Sequence, residues 1–163
     1  MARALLVGCG CRGRELGRVL RADGWEVRGT TRNPDRVGEI DRAGIEGVVA
    51  DPDRVGTVLE HLGDVALVAW LLGSASGDGE LLEAVHGPRL ERLLEELVDT
   101  PVRGFVYEGA GSVPASLLRG GADLLGGAAE RWRIPVAVIE HEPAEWRGWV
   151  DAARTEIHAL IGA

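Results

Sequence analysis

The stretch Leu5-Leu6-Val7-Gly8-Cys9-Gly10-Cys11-Arg12-Gly13 decides the fold. Three apolar residues run directly into a G-x-G-x-x-G turn, and Arg14 to Ala22 continue with helical period to a stop at Gly24. A glycine motif between a strand and a helix is the context in which that pattern carries chemical meaning. Gly8 permits the tight turn, Gly10 lets a ligand approach the backbone, and Gly13 allows the helix to lie close to the sheet. The amides at the helix start, from Cys11 and Arg12 onward, then face the pyrophosphate of a dinucleotide. Gly17, one turn further on, is expected to touch the sheet and not the ligand.

Outward from this turn, short valine-rich runs alternate with longer stretches of helical period, the pattern of repeated βα units and a parallel sheet. Six strands are expected, at Ala4–Val7, Glu26–Thr30, Gly47–Ala50, Val65–Leu71, Gly104–Glu108 and Val136–Glu140. Asn33-Pro34 and Asp51-Pro52 each read as a cap followed by proline at the first helical position. From Pro88, the spacing of Leu90, Leu93, Leu94, Leu97 and Val98 predicts one apolar stripe. A further helix is read over Pro114 to Arg131, and a last one with Trp146, Val150, Ala153, Ile157 and Leu160 on one face. The expected architecture is an α/β, Rossmann-like doubly wound sheet of about six parallel strands with helices on both faces. It reads as one dinucleotide-binding domain over residues 1–163, with no separate substrate domain.

Composition narrows the function classes. The chain is 45% hydrophobic and 27% charged, within the globular range. Its 26 acidic residues outweigh 18 basic ones, all of them arginine, for a net charge of −8. That sign disfavours nucleic acid and anionic membrane as partners. No signal-like or membrane-spanning apolar run is visible, so a soluble protein of the cytoplasm is expected. Cys9 and Cys11 are too close for an unstrained disulfide, and no further ligand completes a metal set, so both read as free thiols in a reducing compartment.

The tip of the second strand, Thr30-Thr31-Arg32-Asn33, supplies hydroxyl, guanidinium and amide where an NAD site usually places an acid. Thr31 and Arg32 therefore read as a 2′-phosphate site, which favours NADP, with NAD as the alternative. Asp51 is equally an acceptor for the adenine amino group and a helix cap. The end of the fourth strand, with Leu72 and Gly73, is expected to pass the ribose and nicotinamide side. Trp70, just before them, reads as a core residue more readily than as a stacking surface.

Leu5–Gly13 with its following helix, and then Trp25–Pro34, resemble the cofactor-binding half of atypical extended short-chain dehydrogenases, especially NAD(P)-binding proteins related to nucleoside-diphosphate-sugar epimerases. Val48–Arg54 resembles the adenine-side segment of that family, and Gly104–Val113 its fifth strand, where active members carry a catalytic serine or threonine. The resemblance implies cofactor roles for Gly8, Gly10, Gly13, Thr31, Arg32 and Asp51. The family's Tyr-x-x-x-Lys pair has no counterpart, because the chain lacks lysine and its only tyrosine, Tyr107, falls inside the fifth strand.

No catalytic residue is assigned. Tyr107 is expected in the core without an activating partner, and His61, His86 and His158 beside no motif. Ser112, in the loop after the fifth strand, and Arg119, on the helix beyond it, are read as groups able to orient a ligand, and His141-Glu142, after the sixth strand, as the one pair near the ligand edge. Two functions stay open: an NAD(P)-binding module without chemistry of its own, or an NADP-dependent oxidoreductase or epimerase-like enzyme whose pocket a homodimer or partner subunit completes.

Overall fold

The computed structural model describes residues 2–161. Six parallel strands form one sheet: β1 (Arg3–Val7), β2 (Glu26–Thr31), β3 (Glu46–Val49), β4 (Leu67–Trp70), β5 (Phe105–Glu108) and β6 (Val136–Ile139), in the order β3-β2-β1-β4-β5-β6. The helices are α1 (Cys11–Ala22), α2 (Val37–Arg42), α3 (Val55–Leu59), α4 (Gly79–Val85), α5 (Pro88–Glu96), α6 (Ala115–Trp132) and α7 (Trp146–Ile161). This is the doubly wound, Rossmann-like architecture expected from the sequence, and each strand lies within two residues of its expected ends.

Alternation along the strands divides the core in two. In β1, Leu5 and Val7 point to one face with Val68, Trp70, Phe105 and Tyr107, where α3, α4, α5 and α6 cover them. Ala4 and Leu6 point to the other, with Leu67, Ala69 and Val106, beneath α1, α2 and α7. Residues 4–7 are fully buried because β1 is central and covered on both sides. Each buried leucine or valine of this kind contributes roughly 1.5–3 kcal/mol.

In α1, the buried Gly13, Leu16, Gly17 and Leu20 follow the spacing of one helical face. Close approach falls mainly to Gly17: a Cβ there would run into the Ile45 side chain and lie 3.5 Å from Val27 Cγ1. At Gly13 the nearest atom to such a Cβ is Cys9 Sγ at 3.4 Å, an ordinary contact. Gly17 therefore carries the packing role expected of Gly13.

Several expectations need correction. Asp51 caps a turn and not a helix: its Oδ1 accepts from Asp53 N at 2.9 Å, and α3 begins only at Val55. Val98 is 53% exposed, because the chain tightens into a 3-10 turn at Leu97–Asp99 and rotates it off the stripe. In α7 the sheet-facing aromatic is Trp149, while Trp146, in the first turn, is 46% exposed. The helix α4 was not expected; Asp78 starts it by accepting from Leu81 N at 2.8 Å. Trp70 is a core residue, and its indole N–H donates to the Val85 carbonyl at 3.1 Å.

The sheet order reverses between β1 and β4, whose paired C-terminal ends, Val7 opposite Trp70, open the crevice such sheets offer to ligands. Among the described residues no helix is long and apolar enough to cross a membrane.

Candidate functional site

A cleft of about 410 Å³ occupies that crevice. Its floor is the glycine turn. Gly8 has φ +85°, and a Cβ on it would lie 2.7 Å from the Leu71 carbonyl oxygen, so conformation and crowding both demand glycine. Gly10 is different: a Cβ there meets nothing within 4 Å, so the protein's own atoms do not require glycine at this position. The turn is fastened to β2, with Cys9 N donating to the Thr30 carbonyl at 2.9 Å and Gly8 N to the Thr30 hydroxyl at 3.2 Å.

α1 begins at Cys11 with no side-chain cap and no acid in its first turn. The first intrahelical bond of that turn runs from Arg14 N to the Gly10 carbonyl at 2.8 Å. The amides of Cys11, Arg12 and Gly13 therefore have no helical acceptor and lie at the positive end of the helix dipole, within the cleft lining.

Of the residues singled out in the sequence, Gly8, Gly10, Cys11, Arg12, Gly13, Thr31, Arg32 and Leu72 line the cleft. Asp51 and Gly73 do not. Asp51 is held in its turn, and Gly73 N donates to Glu108 Oε1 at 2.7 Å. At the β2 tip the Thr31 hydroxyl accepts from Asn33 N at 3.1 Å, a local turn contact. Arg32 and Arg36 line the same end, and neither makes an ion pair among the described residues. His141 and Glu142 stand outside the cleft, as do Ser112 and Arg119.

The far end of the cleft holds two residues the sequence reading missed, Glu108 and Trp149, each 1% exposed. The signal for Glu108 was an acid closing the otherwise apolar strand Phe105-Val106-Tyr107-Glu108. Its Oε2 lies 3.7 Å from an Arg12 Nη. Burial raises the Glu108 carboxyl above the usual carboxylate range, against the opposing pull of Arg12 and the Gly73 amide. The Arg12 guanidinium lies 5.6 Å from the centroid of the Trp149 ring.

Tyr107 is fully buried, as expected, but it is not without a partner: its hydroxyl lies 2.6 Å from His86 Nδ1. His86 Nε2 lies 2.9 Å from the Leu72 carbonyl, which can only accept, so Nε2 carries the hydrogen and Tyr107 donates to Nδ1. Burial lowers the basicity of His86 and raises the Tyr107 phenol. Burial also pushes the Cys9 thiol up to about 12, while Cys11 is exposed. The described residues contain no group of three or more His, Cys, Asp or Glu able to hold a metal ion.

No protein-family model matches the sequence, and no curated protein sequence matches it. Solved structures do share the fold. A UDP-glucuronic acid 4-epimerase of Bacillus cereus, in complex with a fluorinated UDP-glucuronic acid and NAD, superposes with TM-score 0.62 at 15% identity, over 83% of this chain and 55% of that one. A triphenylmethane reductase of Citrobacter sp., complexed with NADP(H), gives 0.63 at 16% identity, over 83% and 48%. A putative short-chain dehydrogenase/reductase of Corynebacterium glutamicum gives 0.69 at 19% identity, over 93% and 89%. The chain thus spans about half the length of the first two. At these identities the likeness is one of fold.

Proposed function

We propose that this chain binds a nicotinamide dinucleotide, NADP in preference to NAD, across the C-terminal edge of its sheet. The observation that carries this reading is the start of α1: uncapped amides of Cys11, Arg12 and Gly13, no acid in the first turn, and open space above Gly10. That arrangement suits an anion approaching the backbone closely, as a pyrophosphate does. The neighbouring structures that hold NAD and NADP(H) support the ligand class.

Selection for NADP rests on Arg32 and Arg36 beside the tip of β2, where the cleft lining includes no carboxylate. A charge-assisted contact to a 2′-phosphate contributes roughly 1.5–3 kcal/mol, about ten- to a hundredfold in affinity. The chain itself acts as a binding module. Hydride exchange is the chemistry a bound nicotinamide supplies, but proton transfer by a tyrosine–lysine pair is closed to this sequence. Tyr107 commits its hydroxyl hydrogen to a hydrogen bond with His86, is walled in by α6, and has no lysine to activate it.

Calorimetry with NADPH, NADH and the Gly10→Val and Arg32→Ala variants tests both parts. Binding of NADPH abolished by Gly10→Val, and a preference over NADH reduced at least tenfold by Arg32→Ala, are expected. Unimpaired binding to Gly10→Val places the ligand elsewhere, and equal parent affinities remove the NADP assignment.

A further inference from the structure

Three buried polar atoms at the Trp149 end of the cleft have no hydrogen-bond partner among the described residues: Glu108 Oε2, Arg12 Nε and Trp149 Nε1. The Arg12 guanidinium, an ion-pair distance of 3.7 Å from Oε2, and the Trp149 indole both act on the Glu108 carboxylate without meeting hydrogen-bond geometry. The other Glu108 oxygen is committed to Gly73 N, and Arg12 is positioned against the Trp149 ring, so the cluster is held from two sides. Leaving such groups unmatched is costly, which makes one acceptor beside two donors a specific requirement on whatever enters.

The cleft runs from Thr31, Arg32 and Arg36 at one end, over the α1 start, to Glu108 and Trp149 at the other. On the dinucleotide reading, on which this inference rests, a pyrophosphate over α1 with its adenosine toward β2 leaves the second base at the Glu108 end. We propose that Glu108, Arg12 and Trp149 form a carboxamide-recognition site, with Glu108 Oε2 accepting from the amide NH₂ of the ligand and Arg12 and Trp149 donating to its carbonyl oxygen. A carboxamide offers a donor and an acceptor on adjacent atoms, the complement of this cluster. Glu108 is here a specificity residue and moves no proton.

The test compares three ligands on the full chain by calorimetry: NADP⁺, its 3-acetylpyridine analogue, in which a methyl group replaces the amide NH₂, and adenosine 2′,5′-bisphosphate, which lacks the second nucleoside. Glu108→Gln is the matched variant. Its side-chain oxygen keeps the Gly73 amide, and its NH₂ is turned toward the incoming amide, so two donors face each other. The parent is expected to bind NADP⁺ about tenfold or more tightly than the acetylpyridine analogue. In Glu108→Gln that preference should collapse to within about twofold, with adenosine 2′,5′-bisphosphate binding unchanged. The parent comparison stands by itself should the variant fail to fold. Equal binding of the two dinucleotides to the parent, or a preference that survives in Glu108→Gln, overturns the carboxamide site while leaving the dinucleotide reading intact. Failure of all three ligands to bind the parent overturns the dinucleotide reading and this site with it.

Discussion

Replacing Tyr107 with phenylalanine probes a buried polar pair that links β5 to the connection between α4 and α5. The change removes a single oxygen. It leaves His86 Nδ1, in a residue 2% exposed, without its donor, because the Nε2 hydrogen is already given to the Leu72 carbonyl. A buried acceptor left unmatched costs about 1–3 kcal/mol, and a middle value of about 2 kcal/mol corresponds to a fall in Tm of about 4–8 °C for a chain of this size. The same geometry fixes a pH dependence. The folded state holds His86 neutral with its pKa lowered from 6.5, so below pH 6.5 the unfolded chain binds the extra proton first. Stability from this group is complete above pH 6.5 and is lost as pH falls from there toward the folded pKa, at a slope of up to about 1.4 kcal/mol per pH unit. Urea unfolding of the parent, Tyr107→Phe and His86→Gln at several pH values between about 5 and 8 measures both effects. Gln at position 86 retains an acceptor and a donor but no titration. The parent should therefore lose stability relative to His86→Gln as the solution is acidified, while the other histidines cancel in the difference. A Tyr107→Phe variant as stable as the parent, or a parent and His86→Gln difference that stays flat across that range, refutes the assigned tautomer and partner.

Two further outcomes follow from the same packing. A Cβ on Gly121 would press on the Tyr107 hydroxyl and lie 2.5 Å from Cζ, on a ring that His86 holds in place; Gly121→Ala is expected to lower stability by about 1–3 kcal/mol in chemical denaturation despite a helix-propensity gain of about 1 kcal/mol. Mass spectrometry after brief treatment with iodoacetamide at pH 8 should find Cys11 modified and Cys9 unmodified, since Cys9 is buried with its thiol pushed up to about 12, and NADPH should slow labelling of Cys11 at the cleft floor.

The fold was legible because its evidence is local and repeated. Val-rich runs, a glycine turn opening a helix and the Pro88 stripe each read at short range, and the strands fell where those signals placed them. What escaped depended on contacts distant in sequence. Asp51-Pro52 has the local chemistry of a helix start, yet Thr57 bonds back to the Asp51 backbone and the first turn never becomes helix. Trp146 and Trp149 are both compatible with an amphipathic face, and only the position of Arg12 beneath α7 shows which one turns inward. The partnership of Tyr107 with His86 reaches across the whole of α5 into β5, so no motif could announce it. The glycine-turn half of the site was visible for the reason the fold was; the Glu108 half was not, because its three members come from three separate units of the chain.

Thr30 holds the glycine turn through both its hydroxyl and its carbonyl, while its immediate neighbours Thr31 and Arg32 form one end of the cleft. The span between the cleft floor and that end is thus a length of extended strand, a gauge block machined into the sheet and not a flap that settles on arrival. A molecule that fits this span immobilises little backbone as it binds, so the entropic toll of ordering a loop is absent at that end. Discrimination there should appear in how long a ligand stays and hardly in how fast it arrives, because nothing in the main chain has to be recruited before contact is made.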